Sequence, residues 1–296
     1  MNSKIEFENI EQCLICGGKN FRTLFQRKDF DISNFGTFDI TECVSCKMLY
    51  TLQRPTKETL HLLYQTRNTS NFDESNRIFE RLKTFFSKRQ IKKYIGKLKT
   101  VPKTFVDFGC GNALYAISMK QLFPNSQVYA VDFAKEVPEK LKGLGNIDYL
   151  FTDDFLKDGA KYDVIFLRHV LEHTLNPLEL LKQLKEKISA GGSLIIEVPN
   201  AFSGQSRVFG KFSHSWYAPY HTNHFTYNNI KELFKNLDFA RVDYSRAEMP
   251  FMSNTLANMF GKKINNVFRI AGMLLHPLQL AVDIFSPAVI TVIAKK

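Results

Sequence analysis

Short apolar runs alternate with amphipathic segments through the second two-thirds of the chain. "TFVDFG", "QVYAVD", "DYLFTD", "YDVIFLRH" and "GSLIIEVP" are compact runs, several of them rich in Val and Ile. Between them, "ALYAISMKQLF" and "PLELLKQLKEKI" repeat apolar residues at spacings of three and four. A compact apolar run reads as a strand buried on both faces, and the three–four spacing reads as a helix with one buried side. Strand alternating with helix predicts βαβ units and an α/β fold with a doubly wound, mostly parallel sheet. "FARVDYSR" and "AVITVIAKK" predict two final strands, separated by a helical insertion over 250–285. Its stripe of Val267, Ala271, Leu274, Leu278, Val282 and Phe285 predicts a cover over the sheet or a dimer contact. Lys262, Lys263 and Arg269 near its start also suit peripheral contact with a membrane. Ahead of the α/β pattern lie β-like runs in 1–55 ("FRTLF", "FDITEC", "KMLYTL") and a helical connector over 56–100, so the α/β domain is expected over 101–296.

Charge changes this picture at one place. The net charge is +11, and "RLKTFFSKRQIKKYIGKLKTVPK", from Arg81 to Lys103, contains no acid. Leu82, Phe85, Phe86, Ile91, Tyr94, Ile95 and Leu98 are expected on the buried side of that helix, with the bases on a solvated face or facing an anionic partner. "MNSKIEFENIEQ" has no apolar core of a secretory signal, and no stretch reaches the roughly 18–20 apolar residues of a membrane span. A cytoplasmic protein is expected, in contact at most with the inner membrane face.

In a reducing compartment paired cysteines point to metal rather than to disulfides. Four of the five cysteines form two C-x-x-C pairs, Cys13/Cys16 and Cys43/Cys46. Each spacing lets two sulfurs face one point, and two such turns build a tetrahedral sulfur cage of the zinc-ribbon kind. Zinc is the usual occupant, and iron in the same cage is the alternative. With no open ligand position the site is expected to be structural, supplying stability that so small a segment lacks.

"FVDFGCGNALYA" reads as a strand ending in an acid, Asp107, then Gly109 and Gly111, then a helix. Glycines at the carboxyl end of a strand let a ligand approach the backbone. The third glycine of a dinucleotide fingerprint is missing, since Asn112 and Ala113 follow, which points to a cofactor without phosphates. The next strand ends in Asp132, placed to accept from ribose hydroxyls. In these features the chain resembles the class I S-adenosylmethionine (SAM)-dependent methyltransferases. The resemblance runs from about Phe105 to Asn200. It implies that Asp107, Gly109 and Gly111 hold the amino-acid end of SAM, that Asp132 takes the ribose, that Asp154 and Phe155 of "FTDDF" meet the adenine, and that Phe133 and Arg168 touch the cofactor.

"CLICG" followed by "CVSCKMLYTLQRPTKETLHLLY" resembles the zinc-binding segment that precedes the methyltransferase domain in bacterial sugar-modifying enzymes, down to a Pro-Thr and a helix ending in Leu-Tyr. The sugar C-methyltransferases with this segment carry a further C-terminal domain that this chain is too short to hold, so O- or N-methylation is expected. Two histidine clusters are candidates for the base. His169, Glu172 and His173 of "RHVLEHTLNP" are spaced to share one face of a helix opening after the fourth strand. They resemble the acidic/His cluster of ubiquinone-pathway O-methyltransferases, where a divalent metal can sit, but His169 stands where the first acid is expected. The second cluster, "SHSWYAPYHTNHFTYNN", follows the fifth strand and so lies on the ligand side of the sheet. Its aromatic rings and imidazoles suit a sugar, with His221 the first choice of base, His224 the second, and zinc at His221/His224 lacking a third ligand. The expected protein is a SAM-dependent methyltransferase acting on a sugar, nucleotide sugar or glycan in surface-polysaccharide assembly. An RNA methyltransferase and a SAM-binding module without turnover are the alternatives, nucleic acid being disfavoured because the positive charge concentrates in one helix.

Overall fold

The computed structural model describes residues 5–30, 35–66, 77–98, 100–247, 252–262 and 264–296. Residues 67–76 and 99 of the expected connector, and 250, 251 and 263 of the expected insertion, lie outside them. The N-terminal part contributes β1 (Phe7–Asn9), β2 (Phe21–Lys28), β3 (Thr37–Cys43), β4 (Leu49–Thr51), β5 (Gln53–Pro55) and α1 (Leu60–Thr66). A long helix, α2 (Arg77–Leu98), leads into β6 (Thr104–Phe108), α3 (Leu114–Leu122), β7 (Gln127–Asp132), β8 (Asp148–Phe151), α4 (Thr152–Lys157) and β9 (Tyr162–Arg168). Then follow α5 (Pro177–Lys187), β10 (Ile188–Pro199), α6 (Gly204–Phe209), β11 (Asn223–His224), α7 (Tyr227–Lys235) and β12 (Arg241–Ala247). The chain closes with α8 (Met252–Met259), α9 (Asn266–Leu274), α10 (His276–Asp283) and β13 (Val289–Lys295).

Seven strands form one sheet in the order β12-β13-β10-β9-β6-β7-β8. β8, β7, β6, β9 and β10 are mutually parallel, while β13 runs antiparallel between β10 and β12. This is the doubly wound, mostly parallel sheet that the alternating runs predict. Successive strand residues point to opposite faces, which divides the core in two. Phe105, Val164, Phe166 and Ile195 pack with Ile91 and Tyr94 of α2 and Met119 of α3. Val106, Ile165, Leu167 and Ile196 pack with Phe155 of α4, Leu181 and Leu184 of α5, and Leu233 and Phe234 of α7. Helix starts follow local chemistry: Asn176 Oδ1 accepts the Glu179 N–H before Pro177, and Thr226 and Asn229 form a reciprocal capping box.

The N-terminal segment is built into this body. β2, β3 and β4 form an antiparallel sheet whose last strand is β11, from the segment after β10. Ile10, Cys13, Cys43, Met48 and Tyr50 belong to the same core as the α5–α7 face of the large sheet.

Three expectations are corrected. Along α2, Ile91, Tyr94 and Ile95 are buried as predicted, but Leu82, Phe85 and Phe86 are exposed, because α3 and the sheet underlie only the C-terminal half of the helix. The 250–285 insertion is three short helices rather than one continuous stripe, and Val267, Leu274, Leu278 and Phe285 face outward instead of covering the sheet. After β9 no α-helix opens at once: His169 takes a left-handed backbone (φ 53°) and Leu171–His173 form a single 3₁₀ turn.

Candidate active site

The loops at the carboxyl ends of β6, β7, β9 and β10 meet on one side of the sheet, the position at which open α/β sheets bind ligands. The β6 loop turns sharply: Gly109 (φ 74°) and Gly111 (φ 53°) are left-handed, and a Cβ at Gly109 would collide with Val170. Asp107, buried at the foot of the loop, accepts the Ala116 N–H at 2.9 Å and so fastens the start of α3. Burial pushes its carboxyl up to about 7, against the Ala116 hydrogen bond and the positive charge of Arg168. Asp132 accepts from Gly111 N–H at 2.8 Å and from Ala134 N–H at 3.2 Å. These bonds leave lone pairs for further donors, since a carboxylate has about four acceptor sites. Asp107, Gly109, Cys110, Asn112, Tyr115 and Arg168 line a cleft here. The Arg168 guanidinium lies 4.8 Å from the Tyr115 ring centroid and pairs with Glu197 at 3.3 Å. Tyr94 and Gln90 of α2 donate to Glu197, and Tyr115 donates to Gln90, so α2 closes one flank of the cleft.

Asp154 is exposed in the first turn of α4. Phe155 is a correction: its ring is wholly buried against Phe108 and Tyr162, with no face left for an adenine. Phe133, beside Asp132, is exposed, and the Tyr64 ring of α1 stands 5.3 Å from it.

The two histidine clusters that the sequence presents as rivals meet. Glu172, His173 and His221 each offer a ligand atom, all within 4.8 Å of one another, and the two imidazoles stand 4.7 Å apart. His173 Nδ1 lies 2.8 Å from the Tyr220 carbonyl, and His221 Nδ1 lies 3.1 Å from the Ser215 carbonyl. A carbonyl only accepts, so both Nδ1 atoms carry a proton, and a neutral His221 holds its lone pair on Nε2. Glu172 is buried, bonded through Oε1 to His169 Nδ1 at 3.1 Å, and its Oε2 has no hydrogen-bond partner among the described residues. Burial pushes Glu172 up to about 7, opposed chiefly by the charge of His173. Burial likewise pushes His221 well below the ordinary histidine range, and the neighbouring imidazoles add to the effect because they disfavour a further positive charge. Two imidazoles and a carboxylate could hold a divalent cation or act on a proton. Tyr64, Tyr217 and Tyr220 wall this cluster, Tyr217 and Tyr220 stacking at 4.6 Å and Tyr64 standing 6.0 Å from His173. The only trace of Tyr64 in the sequence is the Leu-Tyr ending of "LHLLY".

His224 stands apart from that chemistry. Thr51 Oγ1 donates to the His221 carbonyl at 2.7 Å and meets His224 Nε2 at 3.0 Å. With the hydroxyl proton committed, His224 Nε2 must be the donor, and the lone pair rests on Nδ1, which is buried and has no hydrogen-bond partner among the described residues. Arg27 of β2, wholly buried, donates to the Ser213 carbonyl at 2.9 Å and ties the N-terminal sheet to the same loop. Nothing in the sequence marks this pairing, because Arg27 and Ser213 are remote along the chain.

Burial, with the charge of Arg27, pushes His224 down to about 3, so it is neutral when folded but protonated below about 6.5 when unfolded. The unfolded state then binds more protons, and this contribution to stability, complete above about 6.5, is lost as pH falls toward 3. The stability advantage of wild type over His224→Gln is therefore expected to narrow between pH 6.5 and 4 in urea titrations. The comparison within a pair cancels the opposite contributions of Asp107 and Glu172.

The four cysteine sulfurs also converge, all within 4.8 Å. Both turns are alike: Gly17 N–H donates to the Cys13 carbonyl and Lys47 N–H to the Cys43 carbonyl, with left-handed Gly17 (φ 71°) and Lys47 (φ 62°) completing them. Cys13 Sγ lies 3.3 Å from Tyr50 Oη. A set of four thiols around one point, with no carboxylate or imidazole, fits a soft tetrahedral ion.

A family model described as a methyltransferase domain matches residues 73–244, more than half of the chain. "Methyltransferase str2" of Strobilurus tenacellus is 30% identical over 116 residues, 37% of this chain and 41% of that protein. The "tRNA U34 carboxymethyltransferase" of Campylobacter concisus (strain 13826) is 30% identical over 107 residues, 34% of this chain and 37% of that protein. The matched stretch thus spans well under half the length of these curated relatives. Among solved structures, the plantazolicin methyltransferase BpumL in complex with a triazolic desmethylPZN analog and SAH superposes with a TM-score of 0.54 at 19% identity, covering 81% of this chain and 93% of that one. That likeness shows a shared fold.

Proposed function

This chain belongs to the methyltransferase-domain family, and on that premise we propose that it transfers the methyl group of SAM to a hydroxyl of a sugar or glycan. The observation that carries the acceptor chemistry is the convergence of Glu172, His173 and His221 beside an aromatic wall. Asp107, Gly109 and Gly111 would hold the amino-acid end of the cofactor, Asp132 its ribose, and Phe133 and Asp154 its base. A buried carboxyl at Asp107 fits a cationic ligand, which would restore the charge that burial suppresses. When bound, SAM supplies a methyl carbon on a positively charged sulfur, which keeps the bonding pair as it leaves. His221 Nε2 accepts the proton of the acceptor hydroxyl as that oxygen's lone pair forms the new O–CH₃ bond. Glu172 faces the resulting imidazolium and stabilises it, its raised pKa suiting proton exchange near neutrality. Tyr64, Tyr217 and Tyr220 exclude water and offer flat faces to the apolar side of a sugar ring. His224 and Arg27 hold the loop, and the Cys13/Cys16/Cys43/Cys46 cage takes a structural zinc ion.

Asp132→Ala is expected to weaken SAM binding by about 1–3 kcal/mol, because it removes both the ribose acceptor and the brace on Gly111. Titration calorimetry checks this, and unchanged SAM affinity together with NAD binding would overturn the cofactor assignment. A second reading, methyl transfer to RNA, draws on the exposed Arg81, Arg89, Lys92, Lys93 and Lys97 of α2 and on the tRNA-modifying relative. Methyl-labelled SAM offered with nucleotide sugars, lipid-linked glycans and RNA separates the two. Label is expected in a glycan, and label in RNA alone would reverse the choice.

A further inference from the structure

The helices α9 and α10 are packed inside out. Facing the body they place Gly272, Gln279 and Asp283: Gly272 lies against Ser253 of α8, and Asp283 accepts the Gln205 N–H at 2.9 Å and the Gln279 amide at 3.3 Å. Facing solvent they place Val267 (71% exposed), Leu274 (76%), Leu278 (55%) and, just past α10, Ile284 (62%) and Phe285 (88%). A helix that borders only water does the reverse, because each large apolar side chain left in water forgoes the free energy of its burial. The inward polar groups are anchored by specific hydrogen bonds to Asp283, so the outward apolar face is not a by-product of loose packing.

The charge around this face has one sign. Among the described residues from Met252 to Phe285 the bases are Lys262 and Arg269, while the single acid, Asp283, is turned inward and buried. The rim continues onto the acid-free part of α2: Lys93 donates to the Arg246 carbonyl at 3.3 Å, and Arg246 donates to the Ile284 carbonyl at 3.1 Å. A second exposed apolar group, Leu82, Phe85 and Phe86, lies farther along that helix among Arg81, Lys83 and Arg89. Aliphatic and aromatic side chains beside basic ones match a bilayer with anionic headgroups, where the apolar groups enter the acyl boundary and the bases meet phosphate. No helix among the described residues is long and apolar enough to cross a membrane, so the chemistry fits docking on the surface. α8, against which Gly272 of α9 packs, is bonded to the loop after β10: Asn254 lies 3.3 Å from His214 Nε2, and Thr255 accepts the His214 N–H at 3.2 Å.

We propose that α9, α10 and Ile284–Phe285 form a docking face for an anionic lipid bilayer, with α2 supplying further positive charge at its rim. The test is co-sedimentation of the full chain with vesicles of phosphatidylcholine alone and of phosphatidylcholine mixed with phosphatidylglycerol. Binding is expected to the mixed vesicles, to be weaker by about tenfold or more on phosphatidylcholine, and to fall as salt is raised. The double variant Leu274→Glu/Phe285→Glu should lose at least about tenfold in vesicle affinity while keeping its melting temperature and SAM binding, since both side chains are exposed. Should that variant fold poorly, Leu274→Gln alone, with a smaller loss in vesicle affinity, serves the same purpose. Absence of binding to either vesicle overturns the proposal. So does a stable dimer in analytical ultracentrifugation that the double variant dissolves, which would make this a protein–protein face.

Discussion

His221→Ala is expected to leave SAM affinity within about twofold of wild type and to lower turnover roughly 10²–10⁴-fold, the usual worth of a positioned base. The separation follows from the geometry. His221 touches Ser215, His173 and Tyr217 and none of the residues lining the Asp107–Arg168 cleft. The residual rate should climb with pH, because an ionised acceptor no longer needs the imidazole. Glu172→Gln should lower turnover less, keeping the shape of the site while removing the charge that faces the imidazolium. His173→Ala should act mainly through the position of the His221 ring. Calorimetric SAM binding and initial rates over a pH series distinguish these cases. Near-normal turnover in His221→Ala would remove it as the base and transfer the role to His173, whose Nδ1 likewise lies at hydrogen-bonding distance from a backbone carbonyl.

Loss of the proposed zinc ion from the cysteine cage is expected to disturb the loop that carries His221 before the Asp107–Arg168 cleft. Freshly purified protein should carry about one zinc per chain, from the closed four-sulfur set. Cys13→Ser, or chelation under mild denaturant, should lower stability by several kcal/mol, given the roughly 10–16 kcal/mol that such ions contribute to small domains. The physical link is short. Cys13 meets Tyr50, Tyr50 lies in β4, and β4 pairs with β11 through Asn223↔Tyr50 and His224↔Leu49. Loosening the cage therefore loosens the loop that carries His221, whereas the β6 and β7 loops depend on the large sheet. Turnover should fall further than SAM affinity does. Metal analysis finding no zinc or iron, or a Cys13→Ser protein with unchanged melting temperature and turnover, would sink this reading.

The loop chemistry was legible where one segment suffices to define it. Asp107, Gly109 and Gly111 lie within one turn, and the shape of that turn follows from a strand's end and from backbone angles that glycine favours. The same holds for each C-x-x-C turn. Reading failed where a side chain's fate depends on what lies over it. Phe155 was expected at the cofactor because of its neighbours in sequence, yet Tyr162 and Phe108 bury it. Leu82, Phe85 and Phe86 have the spacing of a buried face, but no element among the described residues covers that half of α2.

The order of strands and helices, the parallel character of the sheet and the two cysteine turns are properties of the sequence by itself, because they arise from local periodicity and from contacts a few residues apart. Only the tertiary structure decided that β11 completes the N-terminal sheet, that His221 joins Glu172 and His173, and that His224 instead bonds Thr51. Each of these pairs residues separated by roughly 50 to 170 positions, and no local pattern encodes which partner will be within hydrogen-bonding distance. The same reason governs the inside-out helices. The stripe from Val267 to Phe285 is visible as apolar spacing, but which side of it meets the body was settled by where Gly272, Gln279 and Asp283 find close packing and hydrogen bonds.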